Sequence, residues 1–136
     1  MDVFKNTINE YNYNILKENN LIDILSNATL TKGFCDLILD DYIMMLRESK
    51  ITSISIDEIE DSNDIKLNKI NDIIPEHSIV LIYKNDYLFD DDILSDILTK
   101  IKELNNNNNL NILYNLFDDT NINKLKVISI NVTFKK

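Results

Sequence analysis

The residues with the most chemical possibility lie in FDDDILSDILTKI, residues 89–101, where Asp90, Asp91 and Asp92 stand side by side. Carboxylates crowded in this way can hold a divalent cation, share a proton in acid–base chemistry, or open a helix. The residues that follow decide among these uses. Ile93, Leu94, Ile97, Leu98, Ile101 and Leu104 recur at helical spacing and form one apolar stripe. Asp90 or Asp91 stands just ahead of it, where a side-chain oxygen can accept from backbone N–H groups left free in the first turn. Asp92 and Asp96 lie near the positive end of the helix dipole, and Lys100 and Lys102 near the negative end. The pattern predicts a helix start rather than a metal site.

A second acidic run, DEIEDSND at residues 57–64, supplies Asp57, Glu58, Glu60, Asp61 and Asp64. It lacks the central glycine and closing glutamate of an EF-hand loop. Cys35 is the only cysteine and His77 the only histidine. No thiolate cluster for zinc and no internal disulfide can be built from one cysteine. A Cys35–His77 dyad has no Gly-rich or Asn-bearing context around the cysteine, which falls on the apolar stripe of a predicted helix and reads as a small core side chain. Neither a P-loop nor G-x-G-x-x-G nor G-x-S-x-G occurs, and one glycine, Gly33, could not build a phosphate cradle. We therefore expect no catalytic residues, no metal and no cofactor, and read the chain as a non-enzyme.

Length and composition set the frame for these residues. The chain of 136 residues suits one compact domain spanning 1–136, large enough to hold a core without covalent staples. Its 44% hydrophobic and 27% charged content is ordinary for a soluble fold. The apolar runs fall far short of the ~20 residues that span a bilayer, and residues 1–30 carry no secretory apolar core, so a cytoplasmic location is expected. Gly, Pro, Ala and Arg are nearly absent, while Asn, Ile, Lys, Tyr and Asp abound. That bias is the mark of an AT-rich genome, and the Asn run at 105–109 reads as a tolerated loop expansion.

The charge survives that discount. Fourteen basic against 23 acidic residues leave a net charge of −9. Such a chain repels nucleic-acid phosphates and anionic lipid, so neither is expected as a direct partner. The field favours a basic protein surface.

The elements that must position the acidic residues follow from periodicity. Phe4, Ile8, Tyr11 and Ile15 predict a helix over 3–18, with a turn or two resuming at 21–25. Thr31, Lys32 and Gly33 mark a break, where Gly33 alone is free to take positive φ cheaply. Cys35, Ile38, Leu39, Tyr42, Met45 and Leu46 predict a second helix over 34–48, with Asp36, Asp40 and Arg47 on its polar side and Ile43 and Met44 interrupting it. ITSISI at 51–56 alternates as a half-buried strand with Ile54 and Ile56 inward. Residues 65–74 suggest a short helix stopped by Pro75. SIVLIYK at 78–84 reads as a strand covered on both faces, and 111–117 and 124–134 as two more. Strand 78–84, helix 91–104 and strand 111–117 make a βαβ unit, and turn residues 118–123 predict a C-terminal hairpin. The expected fold is α+β: two N-terminal helices on a roughly four-stranded mixed sheet.

On these grounds the sequence reads as a small acidic binding or inhibitor protein that occupies a basic surface of a partner, possible partners including nucleic-acid-binding proteins and nucleases, in the manner of immunity or viral anti-defence proteins. The candidate contacts are Asp57, Glu58, Glu60, Asp61 and Asp64, with Asp90, Asp91 and Asp92 as a second patch. Two alternatives stand beside it. One is an assembly subunit using Ile43, Met44 and the outer side of the 3–18 helix as an oligomer seam. The other is a small hydrolase built on carboxylates and a metal.

Overall fold

A computed structural model describes residues 2–35 and 37–134. Its elements run α1 (Glu10–Glu18), α2 (Ile22–Leu30), α3 (Leu39–Arg47), β1 (Lys50–Ile59), β2 (Asn68–Lys69), β3 (His77–Lys84), α4 (Asp91–Leu104), β4 (Asn111–Asp118) and β5 (Leu125–Thr133). The fold is α+β, with a five-stranded mixed sheet in the order β2-β1-β5-β3-β4. β3 and β4 are parallel and joined by α4, which is the predicted βαβ unit. The other pairings are antiparallel.

The expected hairpin is not formed. β5 does not return beside β4. It passes over β3 and inserts between β1 and β3, pairing Ile130 with both Ile54 and Ile79. The reason lies in burial: every residue of β5 except Lys126 is buried. A strand apolar on one face and compact on the other belongs in the middle of a sheet, not at its edge.

Successive residues of β3 and β5 feed opposite faces. Ile79, Leu81, Ile128, Ile130 and Val132 join α1, α2 and α3 in one core. Val80, Ile82, Leu125 and Val127 join α4 in another. So three N-terminal helices, not two, cover one face, and α4 covers the other.

ITSISI keeps only part of the expected pattern, with Ile54 buried as expected. Ser53 and Ser55 are buried, whereas Ile56 is 43% exposed. The serines face α4, where they meet polar partners. Ser55 bonds Ser129 at 2.8 Å, Asn131 donates to Ser53 at 3.0 Å, and Ser53 bonds the Asn105 carboxamide at 3.0 Å. A buried hydroxyl is tolerable when it is bonded.

Local geometry corrects three further expectations. Residues 65–74 form no helix; they hold β2 and an extended return, with Ile70 and Asn71 donating to the Thr52 carbonyl. The second helix begins at Leu39, so Cys35 precedes it in a loop rather than sitting on its stripe. Asp36, assigned to that helix's polar side, lies outside the described residues. The Asn run is not idle either. Asn106 takes φ 54° as α4 ends. Asn107 N–H then reaches the Lys102 carbonyl and Asn106 N–H the Glu103 carbonyl, a Schellman closure with Asn where Gly is usual. Asn20, at φ 59°, ends α1 in the same way.

Gly33 does not use positive φ. It is required by contact: a Cβ there would fall on the Asn115 side chain. That carboxamide accepts from Cys35 N–H at 3.0 Å, and Phe34 N–H donates to the Leu116 carbonyl at 3.0 Å, so the loop is stitched onto β4. Gly33→Ala should therefore lower stability by about 1–3 kcal/mol through overpacking. In an Asn115→Ala background the same change should cost much less. Chemical denaturation of the two single variants and the double variant measures that coupling.

Candidate functional site

Register places the ends of the strands. Ile59 of β1 pairs with Leu125 at the start of β5, Tyr83 pairs with Lys126, and Lys84 pairs with Asp118. The C-terminal ends of β1, β3 and β4 therefore share one end of the sheet. The chain leaves that end three times, each time through acidic residues. After β1 come Glu60, Asp61 and Asp64; between β3 and α4 come Asp86 and Asp90, with Asp91 and Asp92 opening α4; at the end of β4 come Asp118 and Asp119. The two patches inferred separately from sequence lie at this same end, and the turn at Ser62–Asp64 packs against α4.

Many of these carboxylates have internal work. Asp90 caps α4, accepting from Ile93 N–H at 2.8 Å. This confirms the reading of the Asp triplet as a helix start. Asp61 accepts from Asn63 N–H at 2.8 Å, and Asp64 accepts from Glu60 N–H at 3.2 Å. Asp57 accepts from Lys66 N–H at 3.1 Å; partial burial raises its pKa, with that hydrogen bond opposing. Glu60 stands 3.8 Å from the Lys124 ammonium, and Glu58 sits opposite Lys126 in the ladder. Asp91 and Asp92 are exposed in the first turn of α4. Among the eight residues singled out from sequence, Glu58, Glu60, Asp91 and Asp92 are thus the exposed ones without a capping role.

The sequence reading missed the centre of this end. Lys84 closes β3 with its side chain only 8% exposed. Its ammonium bonds Asp118 at 2.8 Å and Asp86 at 2.9 Å, and these two contacts raise its pKa. It also lies 4.6 Å from the Phe34 ring centroid and 5.6 Å from that of Phe89. A cation enclosed by two carboxylates and two ring faces ties together the loop before α3, the β3–α4 connection and the end of β4. Tyr87, beside Asp86, is 96% exposed. The signal available in sequence was the single Lys between the apolar run of β3 and the aspartates after it.

Other candidates do not assemble. Cys35 lies beside Asn115, four residues from the Asn111 that pairs with His77, while the His77 ring packs edge-on against Phe134 at 4.9 Å; the two do not form a dyad. No group of three or more His, Cys, Asp or Glu among the described residues could hold a metal ion. No helix among them is long and apolar enough to cross a membrane. Of the residues named for an oligomer seam, Ile43 is partly buried against the N-terminal core and Met44 is 62% exposed. A small polar cavity of about 70 Å³ opens at the other end of the sheet, lined by Ser53, Asn71, Pro75 and Asn105.

Fold and site together define an α+β domain with one anionic end knotted around a buried lysine. No protein-family model matches the sequence, and no curated protein matches it significantly. Among solved structures the chain is similar to one described as an empty FtsZ dimer from M. jannaschii, at 11% identity and a TM-score of 0.55. The match covers 88% of this chain but only 38% of the FtsZ chain. A likeness at that identity shows the fold alone.

Tyr83, next to Lys84, is stacked on Phe117 at 5.1 Å, and burial pushes its pKa from 10.0 up to about 12. The folded state therefore keeps a proton that the unfolded chain loses near pH 10. Stability should fall as pH rises from about 10 to about 12 and then level off with respect to this group. Tyr83→Phe removes that share of the decline, so the gap between variant and wild type in denaturant midpoint should widen in the variant's favour across this window.

Proposed function

We propose that this chain is a non-catalytic binding protein that docks its anionic sheet end onto a basic surface of another protein. The observation that carries the reading is topological. Acidic segments far apart in sequence are delivered to one end of the sheet, and the most buried cation there, Lys84, is already neutralised by Asp86 and Asp118. Glu58, Glu60, Asp91 and Asp92 remain exposed, and Tyr87, beside Asp86 at the same end of the sheet, is almost fully exposed. An exposed aromatic ring at a carboxylate-rich end suits a Lys/Arg-rich surface. Complementary fields speed encounter, and an aromatic side chain supplies the contact area that long-range charge does not. A protein of this type acts by occupation: it covers a surface that another ligand, such as a nucleic acid, would otherwise use. That is the mode of immunity and anti-defence inhibitors.

The test is affinity capture from a native lysate at low and at high salt. At 1 M salt the screening length falls to about 3 Å, so an electrostatic complex should release. A basic protein captured at low salt and lost at high salt is the expected result. Reversing Glu58, Glu60, Asp91 and Asp92 to Lys should abolish capture and leave the circular dichroism spectrum near wild type, with a lower melting temperature because Asp91 and Asp92 lie at the positive end of the α4 dipole. Capture that ignores salt and survives the reversal, or no capture at all, counts against the reading.

A further inference from the structure

The sheet has two edges, and the sequence treats them differently. β1 is covered along its outer side by β2, by the Lys66 N–H bonded to Asp57, and by the Asn71 side chain bonded to the Ile51 carbonyl. It also carries Lys50, Asp57 and Glu58, charges of the kind that guard an edge. β4 is covered only toward its C-terminal end. Its sequence NILYNLFD is uncharged from Asn111 to Phe117 and contains neither Pro nor Gly.

Hydrogen bonding shows which groups face outward. Asn111 N–H bonds the Glu76 carbonyl and Asp119 N–H the Lys84 carbonyl, so odd-numbered residues turn toward β3. The Leu116 carbonyl, on the even set, bonds Phe34 N–H in the loop outside the sheet. That loop covers only the C-terminal part of the edge, and Leu116 N–H is taken by the neighbouring Asn115 carboxamide. No hydrogen bond among the described residues reaches the outward N–H and C=O groups of Ile112 and Tyr114. Both side chains are half-exposed at the margin of the α4-side core.

We propose that β4 is a pairing edge and that its occupant is a second copy of this chain, antiparallel, about a two-fold axis through Leu113. In this register Ile112 of each copy lies opposite Tyr114 of the other. An antiparallel hydrogen-bonded pair exchanges both N–H···O bonds, so every open backbone group on both copies is satisfied at once. Each pair also sets an aromatic ring against a β-branched side chain, a favourable cross-strand combination.

Charge selects the same occupant and the same direction. Antiparallel pairing puts the Asp118 end of each copy beside the Asn111 end of the other. At the Asn111 end the neighbouring α4 closes with Lys100, Lys102 and Glu103, a net positive charge. The acidic start of α4 in one copy thus shares an end with the basic finish of α4 in the other. Parallel pairing would stack two anionic ends. A basic foreign strand is drawn to the anionic end of the sheet, not to an uncharged edge. This surface is separate from the one proposed for the basic partner, which stays free at the outer ends of a paired sheet.

Sedimentation equilibrium over a wide concentration range, with hydrogen exchange on the same samples, tests the proposal. The wild type should approach twice its 15.9 kDa chain mass as concentration rises. The Ile112 and Tyr114 amides should exchange at least tenfold more slowly in the dimer than in dilute monomer. Ile112→Lys places a charge on the edge, and Tyr114→Pro removes an outward N–H that the sheet does not use. Each should hold the chain monomeric. Should either variant misfold, amide exchange in the wild type still decides. A strict monomer at millimolar concentration, or a dimer in which those two amides stay fast, overturns the proposal. So does protection that arises only when a strand of a different protein is added.

Discussion

The structure depends on the insertion of its last strand between β1 and β3. Until β5 is in place, β1 and β3 each lack a neighbour on one side and neither core has its floor. Ile128, Ile130 and Val132 complete the core beneath α1, α2 and α3, and Leu125 and Val127 complete the one beneath α4. The pairings of β5 with β1 join residues some eighty positions apart at their widest. Closing so long a loop costs conformational entropy before any contact compensates it, which makes this a slow step of folding by topology. It also explains the polar seam inside the sheet. Ser129 and Asn131 enter with β5 and find Ser53 and Ser55 already aligned on β1, so their hydrogen bonds fix the register that the surrounding isoleucines leave ambiguous.

The parts of the fold legible in sequence were those set by local periodicity. The βαβ unit was readable because β3 is a continuous β-branched run and α4 shows an uninterrupted stripe between an Asp cap and a pair of lysines. The hairpin was misread because residues 118–123 carry turn chemistry, and turn chemistry states only that the chain reverses, not which neighbour it meets. The serines of β1 were placed outward because alternation alone cannot distinguish a solvated face from a face that meets another polar element. Asparagine was discounted as mutational bias, yet it has specific work here. Asn12 joins α1 to the carbonyls of Leu46 and Ser49, Asn115 holds the loop at Gly33, and Asn106 takes the left-handed turn that glycine would ordinarily supply. In a chain with a single glycine, Asn is the next residue able to adopt that conformation.

The candidate site was legible residue by residue but not as an assembly. Asp90 was correctly read as a cap, and the 57–64 carboxylates stand at the same end of the sheet. Their convergence was hidden because it is a property of strand direction: β1, β3 and β4 all run toward one end, and no local pattern records that. Lys84 was overlooked for a related reason. Its partners Asp86 and Asp118 are separated by a whole βαβ unit, and only the parallel register, which pairs Lys84 with Asp118, brings them to one point.

An end so rich in carboxylates would by itself oppose folding, because gathering like charges raises the free energy of the compact state. The structure relieves that strain with groups that are cationic or partly so and that are already required for other purposes. The N-terminus of α4 presents its free N–H groups and positive dipole end to Asp90, Asp91 and Asp92. Lys84 neutralises Asp86 and Asp118 while its stem fills space between Phe34 and Phe89. Lys124 stands by Glu60, and Lys126 faces Glu58. Compensation is strongest at the centre, around Lys84, and weakest at Asp91 and Asp92 on the rim. The uncompensated charge therefore sits where a second protein can reach it, and the compensated charge sits where the fold needs it.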